Sequence, residues 1–248
     1  MCLIVFAWRP AHHQPLIVAA NRDEFYARPT LPLAHWPEAS GVYAGRDLEA
    51  GGTWLGVGPD GRFAALTNIR NPNRPLGRRS RGELVSHFLS GEQSIEAYLA
   101  EVVGRSDEYG GFNLLVGNRD SLYYLNAANP VPQRLEEGIY GVSNAGLDTP
   151  WPKLLKAKAA LTEQLDNPQP SALLTLLHDP QTAPFAELPD TGVGLATETL
   201  LSSIFIASPS YGTRASSALI VNADGSRHFV EHSFGPYGGH LGEVDLTI

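Results

Sequence analysis

Two continuous apolar runs near the start of the chain, Leu3 to Trp8 ("LIVFAW") and Leu16 to Ala20 ("LIVAA"), constrain its fold more than any other feature. Neither run alternates polar with apolar residues, so strands made from them bury both faces, and the turn-forming "RPAHHQP" between them joins the pair as a hairpin. A sheet built on such a hairpin needs cover on both sides.

The remaining chain carries the signals of that cover. "TWLGVGPDGRFAALTNIR" repeats the hairpin design, with Pro59-Asp60-Gly61 turning between strands near Thr53 to Val57 and Arg62 to Asn68. A third hairpin lies in "FNLLVGNRDSLYYLNA", bending at Asn118 to Asp120, and "GIYGVSN", Gly138 to Asn144, reads as a further strand. Ser80 with Glu83 three residues on predicts a capping box that opens a helix over Arg81 to Leu89, and Ser94 to Val103 continues helically. Pro150 and Pro152 open a longer helix reaching about Leu165, with Leu154, Leu155, Leu161 and Leu165 on one face. Asn167 to Gly194, rich in Pro, Thr and Asp, reads as a short helix within long loops. Ile204 to Ala207, Ala215 to Asn222 and Arg227 to Phe234 are predicted strands, the last two joined by "ADGS". Strands, then helices, then strands again predict antiparallel sheets covered by helices, an α+β layered architecture.

Composition narrows the function classes. A chain of 248 residues with 43% hydrophobic content can build one large core, and a single domain over 1–248 is expected. Its net charge of −8 repels nucleic acid, and no nucleic-acid motif offsets that. The run Leu3 to Trp8 is too short to span a bilayer, lacks a basic segment before it, and is followed by no A-x-A site, so a cytoplasmic protein without an integral membrane segment is expected. The eight histidines show no HExxH or paired-cysteine spacing, so no metal is expected, and "GGTWLGVGPDG" is turn chemistry that lacks the Lys of a phosphate loop. A small-molecule ligand or substrate remains.

Cys2 is the only cysteine, so it forms no internal disulfide. Removal of Met1 would put a free α-amine and a thiol on one residue. That amine, with a reference pKa of about 7.7–8.0, can take the proton of a thiol whose reference value is about 8.5. The alternative is a buried Cys acting as a small hydrophobe at a strand start.

"MCLIVFAW", "ANRDEF", "GGTWLGV", "ALTNIR", "SRGELV", "GVSNAGLDTPWPK" and "YGTRASSALIV" resemble the successive motifs of the NRDE family, also called the transport and Golgi organisation protein family, from Cys2 to about Val221. That family in turn resembles the cysteine N-terminal-nucleophile hydrolases, the group of penicillin V acylases and bile-salt hydrolases, which implies a four-layer αββα sandwich of antiparallel sheets. The resemblance implies Cys2 as nucleophile, Arg22 and Asp23 contacting the thiol and the amine, Asn68 ("LTN") and Asn144 ("VSN") building an oxyanion hole, Arg214 closing the pocket and Asn21 bordering the substrate. A hairpin of two similar strands supports this placement, because it returns the Asn21 region to the side of Cys2. One spacing departs: the hydrolases separate the Arg and Asp by two residues, whereas here they are adjacent in Asn21-Arg22-Asp23-Glu24. Asp23 or Glu24 then faces the thiol, and Asp23 is expected; otherwise the run pins a turn, with Arg22 salt-bridged outside any site.

Two function classes survive. One is a hydrolase or acyl-transfer protein acting on a linear amide or thioester through Cys2. The other, implied by the family's association with haem trafficking and lipid metabolism, is a non-catalytic carrier or chaperone that holds haem or a lipid-like ligand in the same cleft. No cofactor is required in either, and haem is a possible bound ligand. Five arginines fall between positions 70 and 81 (Arg70, Arg74, Arg78, Arg79, Arg81), and Arg78 and Arg79, at the rim of the expected cleft, suit haem propionates, a CoA phosphate or an anionic lipid head. The alternative for such a charge run is a solvated loop.

Overall fold

The computed structural model describes residues 2–73 and 77–248. In chain order its strands are β1 (Cys2–Trp8), β2 (Leu16–Phe25), β3 (Thr30–His35), β4 (Tyr43–Asp47), β5 (Leu55–Val57), β6 (Phe63–Asn68), β7 (Phe112–Gly117), β8 (Leu122–Asn126), β9 (Asn129–Arg134), β10 (Gly138–Val142), β11 (Tyr211–Val221), β12 (Arg227–Phe234) and β13 (His240–Thr247). Its helices are α1 (Gly82–Ser90), α2 (Ile95–Gly104), α3 (Pro152–Glu163), α4 (Pro170–Leu176) and α5 (Leu195–Leu200). Contacts group these into two compact units, Met1–Ala27 with Arg70–Pro72 and Glu137–Ile248, and Arg28–Ile69 with Asn73–Glu136.

The first unit holds a six-stranded antiparallel sheet in the order β10-β1-β2-β11-β12-β13. The two apolar runs form its β1–β2 hairpin. Alternate residues Leu3, Val5, Ala7, Ile17 and Ala19 cluster with Leu154, Ala157 and Leu161 of α3 and with Leu173 and Leu174 of α4. Ile4 and Phe6 on the other face are also fully buried, and the Phe6 ring stacks on Tyr140 of β10 at 5.4 Å. Each such side chain contributes about 1.5–3 kcal/mol when fully buried, so the hairpin anchors the unit. Close approach of α3 to β10 requires Gly141, where a Cβ would lie 2.9 Å from Leu154 Cδ2.

β2 runs on through the polar "NRDEF" instead of ending at Ala20. The reason is that it is flanked on both sides: Cys2 pairs with Arg22 across β1, and Thr213 pairs with Asp23 across β11. Both ladders satisfy its backbone, so the polar run is strand, and the reading of it as a turn fails. Of the other expected strands, Ile204 to Ala207 makes only an isolated bridge between Ala207 and Gly212. β11 begins earlier than Ala215, at Tyr211, with a bulge between Thr213 and Ala215.

The expected helix after Pro150 is α3, with Pro152 in its first turn. Its buried face differs from the predicted one: Lys153, Leu154, Ala157 and Leu161 are buried, while Leu155 is 53% exposed. A stripe through positions 154, 157 and 161 takes in 153 and leaves out 155.

In the second unit a seven-stranded antiparallel sheet runs β3-β4-β5-β6-β7-β8-β9. Leu84, Val85 and Phe88 of α1 and Leu99 and Val102 of α2 join Leu66, Leu114 and Val116 of the sheet in one core. Ser94, expected as the first helical residue, instead caps α2, its Oγ accepting from the Ala97 N–H at 3.2 Å. The predicted capping box of α1 does not form: Arg81 occupies the N-cap position and its side chain does not cap the helix, donating instead to the Gly111 carbonyl at 3.2 Å. The Glu83 carboxylate is drawn away, accepting from Tyr109 Oη at 2.6 Å and pairing with Arg79 at 2.5 Å. Two antiparallel sheets with packed helices make the α+β class. Among the described residues no helix is long and apolar enough to cross a membrane.

Candidate functional site

Register alone brings the first site residues together. Cys2 heads β1, 6% exposed, directly opposite the buried Arg22 of β2. The backbone N–H of Asp23 hydrogen-bonds the thiol. Burial raises the pKa of Cys2, and the charge of Asp23 raises it further, while Arg22 and the Asp23 N–H work in the opposite direction. Its seclusion therefore favours the protonated thiol.

Between Asp23 and Glu24, only Asp23 belongs to this interior. Its side chain is buried and accepts from Thr213 Oγ1 at 2.8 Å, whereas Glu24 Oε1 takes the Phe25 N–H on the exposed side. Burial raises the Asp23 pKa, opposed by Lys153, by the Thr213 hydrogen bond and by Arg22. Tyr211 Oη donates to the Asp23 carbonyl at 3.2 Å, and burial beside Asp23 and Cys2 pushes that phenol up.

Asn144 arrives from the end of β10. Because β10 pairs with β1, the two residues that follow it lie beside the start of β1: Ser143 Oγ is 3.0 Å from the Cys2 carbonyl oxygen and 3.2 Å from Asn144 Oδ1. Asn144 is 1% exposed, and its carbonyl accepts from the Arg70 N–H at 2.7 Å. The loop onward to α3 is tied back to β10, the Asp148 N–H donating to the Gly141 carbonyl at 2.7 Å and the Gly141 N–H donating to Asp148 Oδ1 at 2.8 Å. Asp148 takes a positive φ of 54°, a conformation Asp tolerates better than most residues.

The other candidates have different situations. Asn21 commits both amide protons inside the fold, to the carbonyls of Leu177 at 2.9 Å and Ile204 at 2.8 Å, and accepts from Ser216 Oγ at 2.6 Å. It ties β2 to the loops beside α4. Arg214 sits at the β11 bulge and donates to the Phe25 carbonyl at 3.1 Å; burial and the like charge of Arg22 lower its pKa. Asn68, Arg78 and Arg79 belong to the second unit. There Asn68 closes β6 opposite Phe112, Arg79 is held by Glu83 and by Glu108 at 3.3 Å, and Arg78 stands 81% exposed. Met1 and Arg74 lie outside the described residues.

Sequence reasoning counted Arg70 only in the arginine run and gave no part here to Glu198 or Lys153. Arg70 and Glu198 form a buried ion pair, each side chain 4% exposed, with the Arg70 guanidinium 4.8 Å from the centre of the Trp151 ring. Glu198 also accepts from the Thr191 N–H at 2.8 Å and from Thr191 Oγ1 at 2.6 Å. Lys153 is the third, 4% exposed, its pKa lowered to about 8 by burial, with Asp23 acting against the shift. Helical spacing from Leu154, Ala157 and Leu161 was the signal that would have found Lys153. Among the described residues no group of three His, Cys, Asp or Glu side chains is placed to hold a metal ion.

A solved structure titled Caenorhabditis elegans N-acylethanolamine-hydrolyzing acid amidase ortholog shares this fold, with a TM-score of 0.51 at 12% identity over 99% of this chain and 100% of that one. The likeness sets the class: an α+β fold of two antiparallel sheets with packed helices, shared with that amidase. Sequence goes further than fold. The family model described as Transport and Golgi organisation 2 matches residues 1–236. The human Transport and Golgi organization protein 2 homolog is 37% identical over 94% of this chain and 93% of its own length, and the Drosophila melanogaster protein 29% identical over 100% and 96%. The chain belongs to the Transport and Golgi organisation 2 family.

Proposed function

We propose that this protein is an N-terminal-nucleophile-like hydrolase or acyl-transfer protein, acting in the cytoplasm on a linear amide or thioester through Cys2. The observation that supports it most is the convergence, within one unit, of Cys2 at a strand head with Arg22, Asp23 and Asn144 around it. With Met1 removed, the Cys2 amine takes the thiol proton and the thiolate attacks the substrate carbonyl carbon. Arg22 favours that thiolate, and Asn144 donates to the oxygen as it gains charge. The C–N or C–S bond then breaks, the leaving group takes the proton back from the amine, and water or an acceptor nucleophile releases the acyl group from Cys2.

The second reading is a non-catalytic carrier that holds haem or a lipid-like ligand. It draws on the thiol's seclusion, since burial works against the thiolate that an enzyme needs. Intact mass of protein purified from cells separates the two. The enzymatic reading expects loss of Met1, labelling at Cys2 alone by a thiol-directed acylating probe, and a fall in turnover of about 100-fold or more in Asn144→Ala with substrate affinity nearly intact. Full retention of Met1 leaves no free amine to act as base, and the carrier reading then stands.

A further inference from the structure

The proposed reaction leaves one buried amine without a task. Lys153 lies in the first turn of α3, 4% exposed, and its Nζ has no hydrogen-bond partner among the described residues. Lys156 and Lys158, the other two lysines, are more exposed and pair with Asp179 and Asp148. Two effects oppose a charge at position 153: burial strips its hydration, and the first turn is the helix end whose dipole disfavours a cation. The helix offers no compensation of its own, because the Trp151 carbonyl already accepts from the Leu154 and Leu155 N–H groups at 2.9 and 3.0 Å.

Packing fixes the head of α3 at the Cys2 centre. Leu154 shares a core with Leu3 and Val5 of β1, and the Trp151 ring centre is 4.8 Å from the guanidinium of Arg70, whose backbone N–H donates to the Asn144 carbonyl. Side chains in a helix lean towards its N-terminus, which aims Lys153 at this end. There it faces Asp23 from β2, Arg70 from the segment after β6, Cys2 from β1 and Glu198 from α5. Glu198 is engaged by Arg70 and Thr191. Asp23, 1% exposed, is oriented by Thr213, whose Oγ1 donates to Asp23 Oδ1 at 2.8 Å and accepts from the Ile206 N–H at 2.9 Å. Cys2, Arg22, Arg70, Tyr26 and Tyr211 also face Asp23. Among these groups Lys153 does most to favour the Asp23 carboxylate, ahead of the Thr213 hydrogen bond and of Arg22, and Asp23 does most to favour the Lys153 ammonium. Each is the other's leading counter-charge.

We propose that Lys153 is a positioning residue of the Cys2 centre: its ammonium, set in the interior by the head of α3, keeps the buried Asp23 ionised, so that a carboxylate and not a carboxylic acid faces the amine of processed Cys2. A charged Asp23 stabilises the ammonium formed when that amine takes the thiol proton, and a neutral one does not. The proposal rests on the reading of Cys2 as nucleophile for this last step alone. Retention of Met1 would remove the amine's role and leave the charge of Asp23 still to be measured, so the two readings fail separately.

Infrared difference spectra of the full chain read the charge of Asp23 without any substrate, so a protein that hydrolyses nothing still answers. At neutral pH, Lys153→Met minus parent is expected to show a new protonated-carboxyl band. The band belongs to Asp23 if it is missing when Lys153→Met is made in an Asp23→Asn background. Lys153→Arg, which restores the cation, should abolish it. On titration, the carboxyl should hold its proton about tenfold or more tightly in Lys153→Met than in the parent. A carboxylate that stays ionised in Lys153→Met, a protonated Asp23 already present in the parent, or a band that survives Asp23→Asn would overturn the proposal. Lys153→Gln is measured alongside in case the methionine variant does not fold. Failure of both neutral variants to fold would assign the amine to folding and reject the proposal as well.

Discussion

At the scale of single residues, the state of the Cys2 thiol is decided by influences of opposite sign. Seclusion and the Asp23 charge favour the thiol, and Arg22 with the Asp23 N–H favours the thiolate. Asp23→Asn keeps the shape and leaves an oxygen for Thr213 to donate to, while removing the charge. A nearby anion disfavours a second anion, so its loss lowers the thiol pKa. The pH dependence of Cys2 alkylation by iodoacetamide should therefore shift its midpoint to lower pH in Asp23→Asn. A midpoint that stays in place would mean that Asp23 carries no charge in the native protein, and its assigned influence on the thiol would be wrong.

Among elements, the Arg70–Glu198 pair joins the segment after β6 to α5 across 128 positions of sequence, and Trp151 at the head of α3 lies against its guanidinium. Both side chains are withdrawn from water, so breaking the pair from one side leaves an uncompensated charge. Glu198→Gln should destabilise the protein by about 3–5 kcal/mol, and adding Arg70→Met should recover part of that loss. Urea unfolding of the two variants checks this; a single variant as stable as the parent would show that the pair contributes nothing.

For the molecule as a whole, a charge of −8 makes any anion-binding patch a local exception to the surrounding field. Arg79 is held by Glu83 and Glu108, and the 81% exposed Arg78 lies 3.9 Å from Glu108, so an anion would compete with carboxylates for both guanidinium groups. Replacing Arg78 and Arg79 together with Ala should weaken binding of haem or an acyl-CoA, and added salt should narrow the gap between variant and parent. Titration at two salt concentrations decides it: indistinguishable curves for both ligands would make the loop ordinary solvated surface.

The amino-acid sequence by itself determined the β1–β2 hairpin, the alternation of strands and helices, and the return of the Asn21 region to the side of Cys2. These follow from local patterns, continuous apolar runs, turn residues and strand lengths, whose physics needs only near neighbours in the chain. Tertiary structure alone decided the rest. β2 continues through polar residues because β11, nearly 200 positions away, completes its ladder. Glu83 abandons its cap because Tyr109 and Arg79 compete for the same carboxylate. Lys153 becomes a buried amine because the face of α3 is chosen by what Leu154, Ala157 and Leu161 pack against. A hydrogen bond or a buried charge takes its energy from its partners, and those partners are brought by distant parts of the chain.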